Sequence, residues 1–222
     1  MNTLLKRLAS HLPLYYQQIL KQLYFKRQIE KGTFITDEEE FKLLQEWITE
    51  GDWVLDIGAN IGHYTKRFSE LVGTTGRVIA FEPVSETFEI LAANTARFSL
   101  KNVSLLNVAS SDRTAIVGMN IPRFETGLDN YYMAHLTTEE ANLQVVSISI
   151  DSLDLPEGIK LAKIDAEGHD MSVLQGMVKI LKRDKPILIV EDNSCEIDDY
   201  LSALGYTSTK IPGSSNKIFQ VS

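Results

Sequence analysis

Short apolar runs alternate with helix-length segments through the middle of the chain. The runs fall at residues 53–57, 78–81, 103–108, 161–164 and 187–190, and helical periods lie near 62–72, 86–98 and 169–182. Runs of that length are strand-sized. Strands in alternation with helices imply a parallel sheet with helices on both faces. The stretch 113–150 breaks the pattern. It holds turn residues (Gly118, Pro122, Gly127, Asp129, Asn130) and then alternates from Val145 to Ile150, which predicts a β-rich insertion. Insertions at the carboxyl edge of such sheets shape specificity.

Residues 1–50 read differently and are expected to form a helical extension ahead of a main domain spanning 51–222. Within residues 1–32, six basic residues stand against one acid, a net charge of +5. With −8 for the whole chain, the remaining 190 residues carry −13. Leu4, Leu5, Leu8 and Leu12 share one helical face, and after Pro13 so do Ile19, Leu20, Leu23 and Tyr24. The plain expectation is that these helices pack on the main domain. A dimer contact, a lid, or a basic face on an acidic membrane are the alternatives. Thr36-Asp37-Glu38-Glu39 then reads as a capping box opening a helix with Phe41, Leu44, Trp47 and Ile48.

Composition narrows the function classes. An acidic balance argues against non-specific nucleic-acid binding, which needs clustered Lys and Arg. The single cysteine, Cys195, excludes an intramolecular disulfide framework and a Cys-cluster zinc site. No apolar run approaches the ~20 residues of a membrane span, and the first residues lack the apolar stretch of a signal peptide. The expected location is the cytoplasm.

Chemistry concentrates at the ends of the apolar runs. Val54-Leu55-Asp56-Ile57-Gly58-Ala59-Asn60-Ile61-Gly62 is a strand, a glycine turn and the start of a helix, where backbone N–H groups are free. A dinucleotide fingerprint would need glycine at 60 and 63, where Asn60 and His63 stand. What remains is D-x-G-x-N-x-G. An acid at the strand end suits a cationic ligand, and Asp56 fits that chemistry. Glu82 ends the next run, 26 residues after Asp56, where an acid takes two ribose hydroxyls. Ser85 beside it could cap the following helix. Asn107-Val108-Ala109-Ser110-Ser111-Asp112 stands where such folds contact an adenine. Lys163-Ile164-Asp165-Ala166-Glu167-Gly168-His169-Asp170 sets three acids and a histidine at the mouth of the fourth strand. Asp170 complements the dipole of the next helix. Asp165 and Glu167 precede that helix, at the edge where ligands bind.

These pieces resemble the FkbM family of class I methyltransferases. The matching segments are VLDIGANIGHYT (54–65), VIAFEPVSETFEIL (78–91), SIDSL (149–153), KIDAEGHDMSVLQGM (163–177) and PILIVE (186–191). The resemblance covers nearly all of 52–192. It implies a Rossmann-like α/β fold, mostly parallel with an antiparallel final strand, and S-adenosyl-L-methionine as donor. The acceptor it implies is a hydroxyl on a saccharide or small natural product. Cofactor positions are then expected at Asp56, Gly58, Asn60, Gly62, Tyr64, Glu82, Pro83, Ala109 and Asp165. Asp165, Glu167 and His169 are the catalytic candidates, with Glu191 able to complete an acidic pocket. No metal is assigned; a magnesium held by Asp165 with Asp192 and Asn193 is the alternative. A nitrogen acceptor and a non-catalytic donor-binding module also remain open. An NAD-dependent oxidoreductase is disfavoured by the absent glycines.

Overall fold

The computed structural model describes residues 13–122, 130–137, 141–191 and 194–221. Two helices come first, α1 (Leu14–Lys31) and α2 (Glu39–Trp47). Then β1 (Trp53–Ile57), α3 (His63–Val72), β2 (Arg77–Phe81), α4 (Ser85–Thr95) and β3 (Val103–Leu106) follow in the expected alternation. The stretch from 109 to 148 contributes β4 (Ala109–Ser110), β5 (Ala115–Asn120), β6 (His135–Thr137) and β7 (Leu143–Ile148). The chain returns with β8 (Ile159–Ile164), α5 (Asp170–Gln175), α6 (Val178–Arg183), β9 (Ile187–Val190), α7 (Cys195–Ala203), β10 (Tyr206–Lys210) and β11 (Lys217–Val221).

The main sheet runs β10-β11-β9-β8-β1-β2-β3. Pairs among β1, β2, β3, β8 and β9 are parallel, and β11 alone runs against its neighbours. This is the mostly parallel α/β sheet with an antiparallel last strand that the sequence predicts. The central strands are buried on both faces: Val54, Leu55, Val78, Leu161, Ala162 and Leu188 have no exposed surface. That is why they read as continuous apolar runs. The chain proceeds from β1 outward to β3 and then returns to β1's other side with β8. Ligands bind outside the carboxyl ends of strands at such a switch point.

A smaller sheet, β4-β7-β5-β6, stands beside this edge. The insertion thus begins at Ala109, four residues before the expected boundary, because β4 pairs with β7 in parallel. Gly127 and Asp129 lie outside the described residues, as do Leu4, Leu5, Leu8 and Leu12.

Local expectations fail at three places, each for a tertiary reason. Thr36 is not a helix cap: α2 starts at Glu39, and Glu38 accepts bonds from both Thr36 Oγ1 and the Tyr64 hydroxyl. Ser85 is already the first residue of α4, and its hydroxyl donates to Asn107 Oδ1 at 3.2 Å. The single helix expected over 169–182 is two. The Gly176 carbonyl accepts from Asp151 N (2.9 Å) and Ser149 Oγ (2.8 Å), while the Asp151 carboxylate caps α6 through Lys179 N and Ile180 N. A Cβ at Gly176 would fall 1.9 Å from the Ser111 carbonyl oxygen, so only glycine fits there.

Helix α1 packs on the main body, but not through the side carrying Leu20, Leu23 and Tyr24, which are exposed. The helix instead leans inward through Phe25 and Ile29, against Phe34, Ile61 and Ile90. Gln18 Nε2 donates to the Glu86 carbonyl at 3.1 Å. Among the described residues no helix is long and apolar enough to cross a membrane.

Candidate functional site

A cleft opens where β1, β2 and β8 end, with the small sheet as its far wall. Gly58, Asn60, Glu82, Pro83, Ala109, Asp165, Glu167 and His169 all line it. The backbone makes this possible at Gly58, which has φ 75°. A Cβ there would meet the Asp165 carbonyl oxygen at 1.9 Å, so glycine lets the β1 and β8 ends approach. Asn60 (φ 50°) and Glu167 (φ 48°) are two of the three left-handed non-glycine residues among those described. Left-handed strain of this kind gathers at ligand sites.

Glu82 is buried at one end of the cleft. Its carboxylate accepts from Asn60 N (3.0 Å) and Val84 N (2.9 Å). Asn107 Nδ2 donates to the carbonyls of Glu82 and Pro83 and ties this turn to the end of β3. Burial pushes the Glu82 carboxyl up to about 7, despite the two amides that favour its anion.

The opposite end is a carboxylate cluster. Asp165, Glu167 and Glu191 bring oxygens within 4.8 Å of one another. Asp165 loses some water to burial, yet the Lys163 ammonium 2.7 Å away holds its carboxyl below the usual range. Glu191 shares a hydrogen bond with Asp165 and is also partly desolvated, which pushes it up to about 8. Burial and the neighbouring Asp165 push Glu167 up as well. Such a cluster attracts a cation. Asp192 and Asn193 lie outside the described residues. Asp170 is buried beneath the loop, where Oδ1 accepts from Ala166 N.

His169 sits between the cluster and the small sheet. Its Nε2 lies 2.8 Å from Ser111 Oγ, and Ser111 donates its one proton to Asp112 Oδ1 at 3.0 Å. The ring nitrogen must therefore be the donor to Ser111, which leaves Nδ1 with the lone pair. Burial pulls the imidazole below its ordinary value, with Asp112 opposing and Arg113 assisting. That favours the neutral ring, whose Nδ1 lone pair can take a proton.

Three expected cofactor residues are placed elsewhere. Asp56 is fully buried in β1 beside Ala80 and Lys163; Thr65 Oγ1 donates to its Oδ2 at 2.5 Å, and Oδ1 has no hydrogen-bond partner. Gly62, at φ 97°, caps α3. Tyr64 turns away to Glu38 and Glu40, and the Lys163 ammonium stands 4.8 Å from its ring centroid.

The structure also brings in Lys163, to which sequence reasoning gave no role, and turns Ser111 and Asp112, expected at the adenine, toward His169. Lys163 is a buried cation facing Asp165 and Asp56. Ser111 and Asp112 orient His169. The Ser110 hydroxyl is a buried group of the cleft wall without a protein partner. The apolar lining includes Ile57, Phe81, Val84, Val108, Met119 and Leu136. A lysine inside an otherwise apolar strand was the available signal for Lys163; the Ser111–His169 pairing had none.

Known proteins share this fold. Residues 56–208 match the model of the methyltransferase FkbM domain. A hexuronic acid methyltransferase, AglP of Haloferax volcanii, is 29% identical over 150 residues, covering 66% of this chain and 58% of that protein. The chain therefore spans little more than half the length of this relative. The crystal structure of a methyltransferase FkbM from Methylobacillus flagellatus superposes with TM-score 0.58 at 15% identity, over 78% of this chain and 44% of that one. A Geobacter sulfurreducens methyltransferase does so with TM-score 0.52 at 14% identity, over 100% and 98%. The match to the family model spans more than half the chain, and the protein belongs to the FkbM methyltransferases.

Proposed function

We propose that the protein transfers a methyl group from S-adenosyl-L-methionine to a hydroxyl oxygen of a saccharide. The observation that carries this reading is one cleft with a buried carboxylate at one end and a carboxylate cluster beside a neutral histidine at the other. The cleft suits the donor. Glu82 offers acceptor capacity for ribose hydroxyls, the Ser110 hydroxyl and the apolar wall suit an adenine, and Asp165 with Glu191 suits an ammonium. When bound, the donor supplies an electrophilic methyl on a sulfonium.

The chain's own residues then have three tasks. Asp165, kept ionised by Lys163, anchors the cationic end. The walls from the two sheets exclude water and align the reactants, which accounts for much of the catalysis with an activated donor. His169 Nδ1 accepts the proton that the acceptor hydroxyl gives up as its oxygen bonds to carbon. Ser111 and Asp112 are positioning residues that hold the ring in the required tautomer. Glu167, with its raised proton affinity, is the second group able to take that proton. The kinship with a hexuronic acid methyltransferase favours sugars as acceptors.

Calorimetric titration with S-adenosyl-L-methionine and S-adenosylhomocysteine tests donor binding in the wild type and in Glu82→Ala. Product analysis with uronate and neutral hexose glycosides tests the acceptor. Saturable donor binding with methyl transfer to a sugar oxygen is the expected result. Binding without transfer to any saccharide would overturn the acceptor assignment; no binding would overturn the site.

A further inference from the structure

Helix α1 turns more of its large apolar side chains to solvent than to the body. Phe25 and Ile29 pack inward, and Gln17, Gln18, Lys21, Gln22 and Gln28 are half-buried beside them. Its solvent side carries Tyr15, Tyr16, Leu20, Leu23 and Tyr24, which are 38–69% exposed. At 3.6 residues per turn these five lie on one half of the cylinder. Single exposed apolar residues are unremarkable, but a continuous stripe marks a surface that is covered in use. Among the described residues these five side chains stay exposed.

Charge identifies the cover. Arg27 and Lys31 are exposed on that same half of the helix, interleaved with Leu20 and Tyr24. Glu30, the helix's one acid, is exposed on that half too, and Lys26 pairs with it at 3.7 Å. Two copies meeting face to face would bury Arg27 and Lys31 against a helix whose one acid, Glu30, is already paired with Lys26. An anionic lipid surface answers both features: Tyr rings and Leu side chains at the boundary of headgroups and acyl chains, cations among the headgroups. The acidic remainder of the chain is screened beyond a Debye length of about 8 Å at physiological salt. We propose that α1 docks the protein on an anionic bilayer through this outward face. Lys21, on the opposite side of the helix, lies 5.3 Å from the ring centroid of Tyr131, a residue of the cleft wall. The docking face and the cleft thus lie on opposite sides of one helix.

The test is co-sedimentation of the full chain with vesicles of phosphatidylcholine mixed with phosphatidylserine, and with phosphatidylcholine alone. Two variants are compared, Arg27→Gln/Lys31→Gln and Leu20→Ser/Leu23→Ser, with native mass measured in parallel. Unchanged affinity for S-adenosylhomocysteine certifies that each is folded. Binding is expected on the mixed vesicles only, weakening as salt rises. The charge variant should bind about thirtyfold more weakly, since each basic residue near such a surface contributes about 1 kcal/mol. The leucine variant should lose binding too. No binding by the wild type, or binding untouched by both variants, overturns the proposal. A dimer that dissociates in the leucine variant, without vesicle binding, would give the face to a second copy and overturn it as well.

Discussion

Asp56→Asn should stabilise the protein, and only above acidic pH. The wild-type carboxyl is fully buried, and desolvation pushes it from 3.8 to about 6, against the lowering influence of Lys163. A group that binds its proton more tightly folded than unfolded costs nothing below pH 3.8. The cost then grows with pH and is complete above about 6. At about 1.4 kcal/mol per tenfold change in proton affinity, the plateau is about 3 kcal/mol. The amide mimics the protonated form. It can still accept from Thr65 Oγ1, and its nitrogen replaces an oxygen that already lacks a partner, so the cost of an unsatisfied atom roughly cancels. The lost attraction for Lys163 is already contained in the value of about 6, and that ammonium keeps Asp165 at 2.7 Å. Urea unfolding followed by the fluorescence of Trp47 and Trp53, at pH 4, 6 and 8, measures the difference. Equal stability of variant and wild type at pH 8, or a gain that persists unchanged at pH 4, would refute the linkage argument. Donor affinity should not change, because Asp56 is not part of the cleft wall; a tenfold loss would return it to the cofactor site.

Glu82→Ala should weaken S-adenosylhomocysteine binding at least a hundredfold by calorimetry, since hydrogen bonds to a charged group are each worth about 1.5–3 kcal/mol. His169→Asn should lower kcat by about 10²–10⁴ with little change in donor affinity. In the wild type, kcat/KM should rise with pH through a limb below 6.5, where the imidazole loses its proton, and that limb should vanish in the variant. Ser111→Ala should reduce kcat less and convert the Nε2–H tautomer of His169 to a mixture, read from imidazole ¹⁵N shifts; an unchanged tautomer would remove Ser111 from the mechanism. Gly58→Ala should lower the melting temperature by roughly 10 °C or prevent folding, because the added Cβ strikes backbone and large defects of this kind cost about 4 kcal/mol or more.

The sheet was legible because strands buried on both faces leave an unbroken apolar signature. The cleft was legible in part because D-x-G-x-N-x-G, the Glu82 turn and the Asp165–His169 stretch each follow a strand end, and strand ends of a parallel sheet converge. What stayed hidden was decided by distant partners. Tyr64 belongs to the loop by sequence, yet Glu38 and Glu40 claim its hydroxyl. Ser111 meets His169 across 58 residues. Thr36 had the local chemistry of a cap and lost it to the same Tyr64 contact. For α1 the periodicity disclosed an apolar stripe but not its direction, since amphipathicity says that a face exists and nothing about what lies opposite it.

The place of β11 carries a consequence for the order of events during synthesis. Residues 217–221 form neither edge of the sheet; they lie between β9 and β10, and follow both in the chain. Until they leave the ribosome, β9 offers the nascent chain an open row of amides and carbonyls, and β10 has no neighbour to join. Asn216, just ahead of them, reaches back to the buried carboxylate of Glu40. Early and late segments are thereby locked together in one closing step. A pause in synthesis before residue 217 leaves β9 as an apolar edge free to pair with the wrong chain.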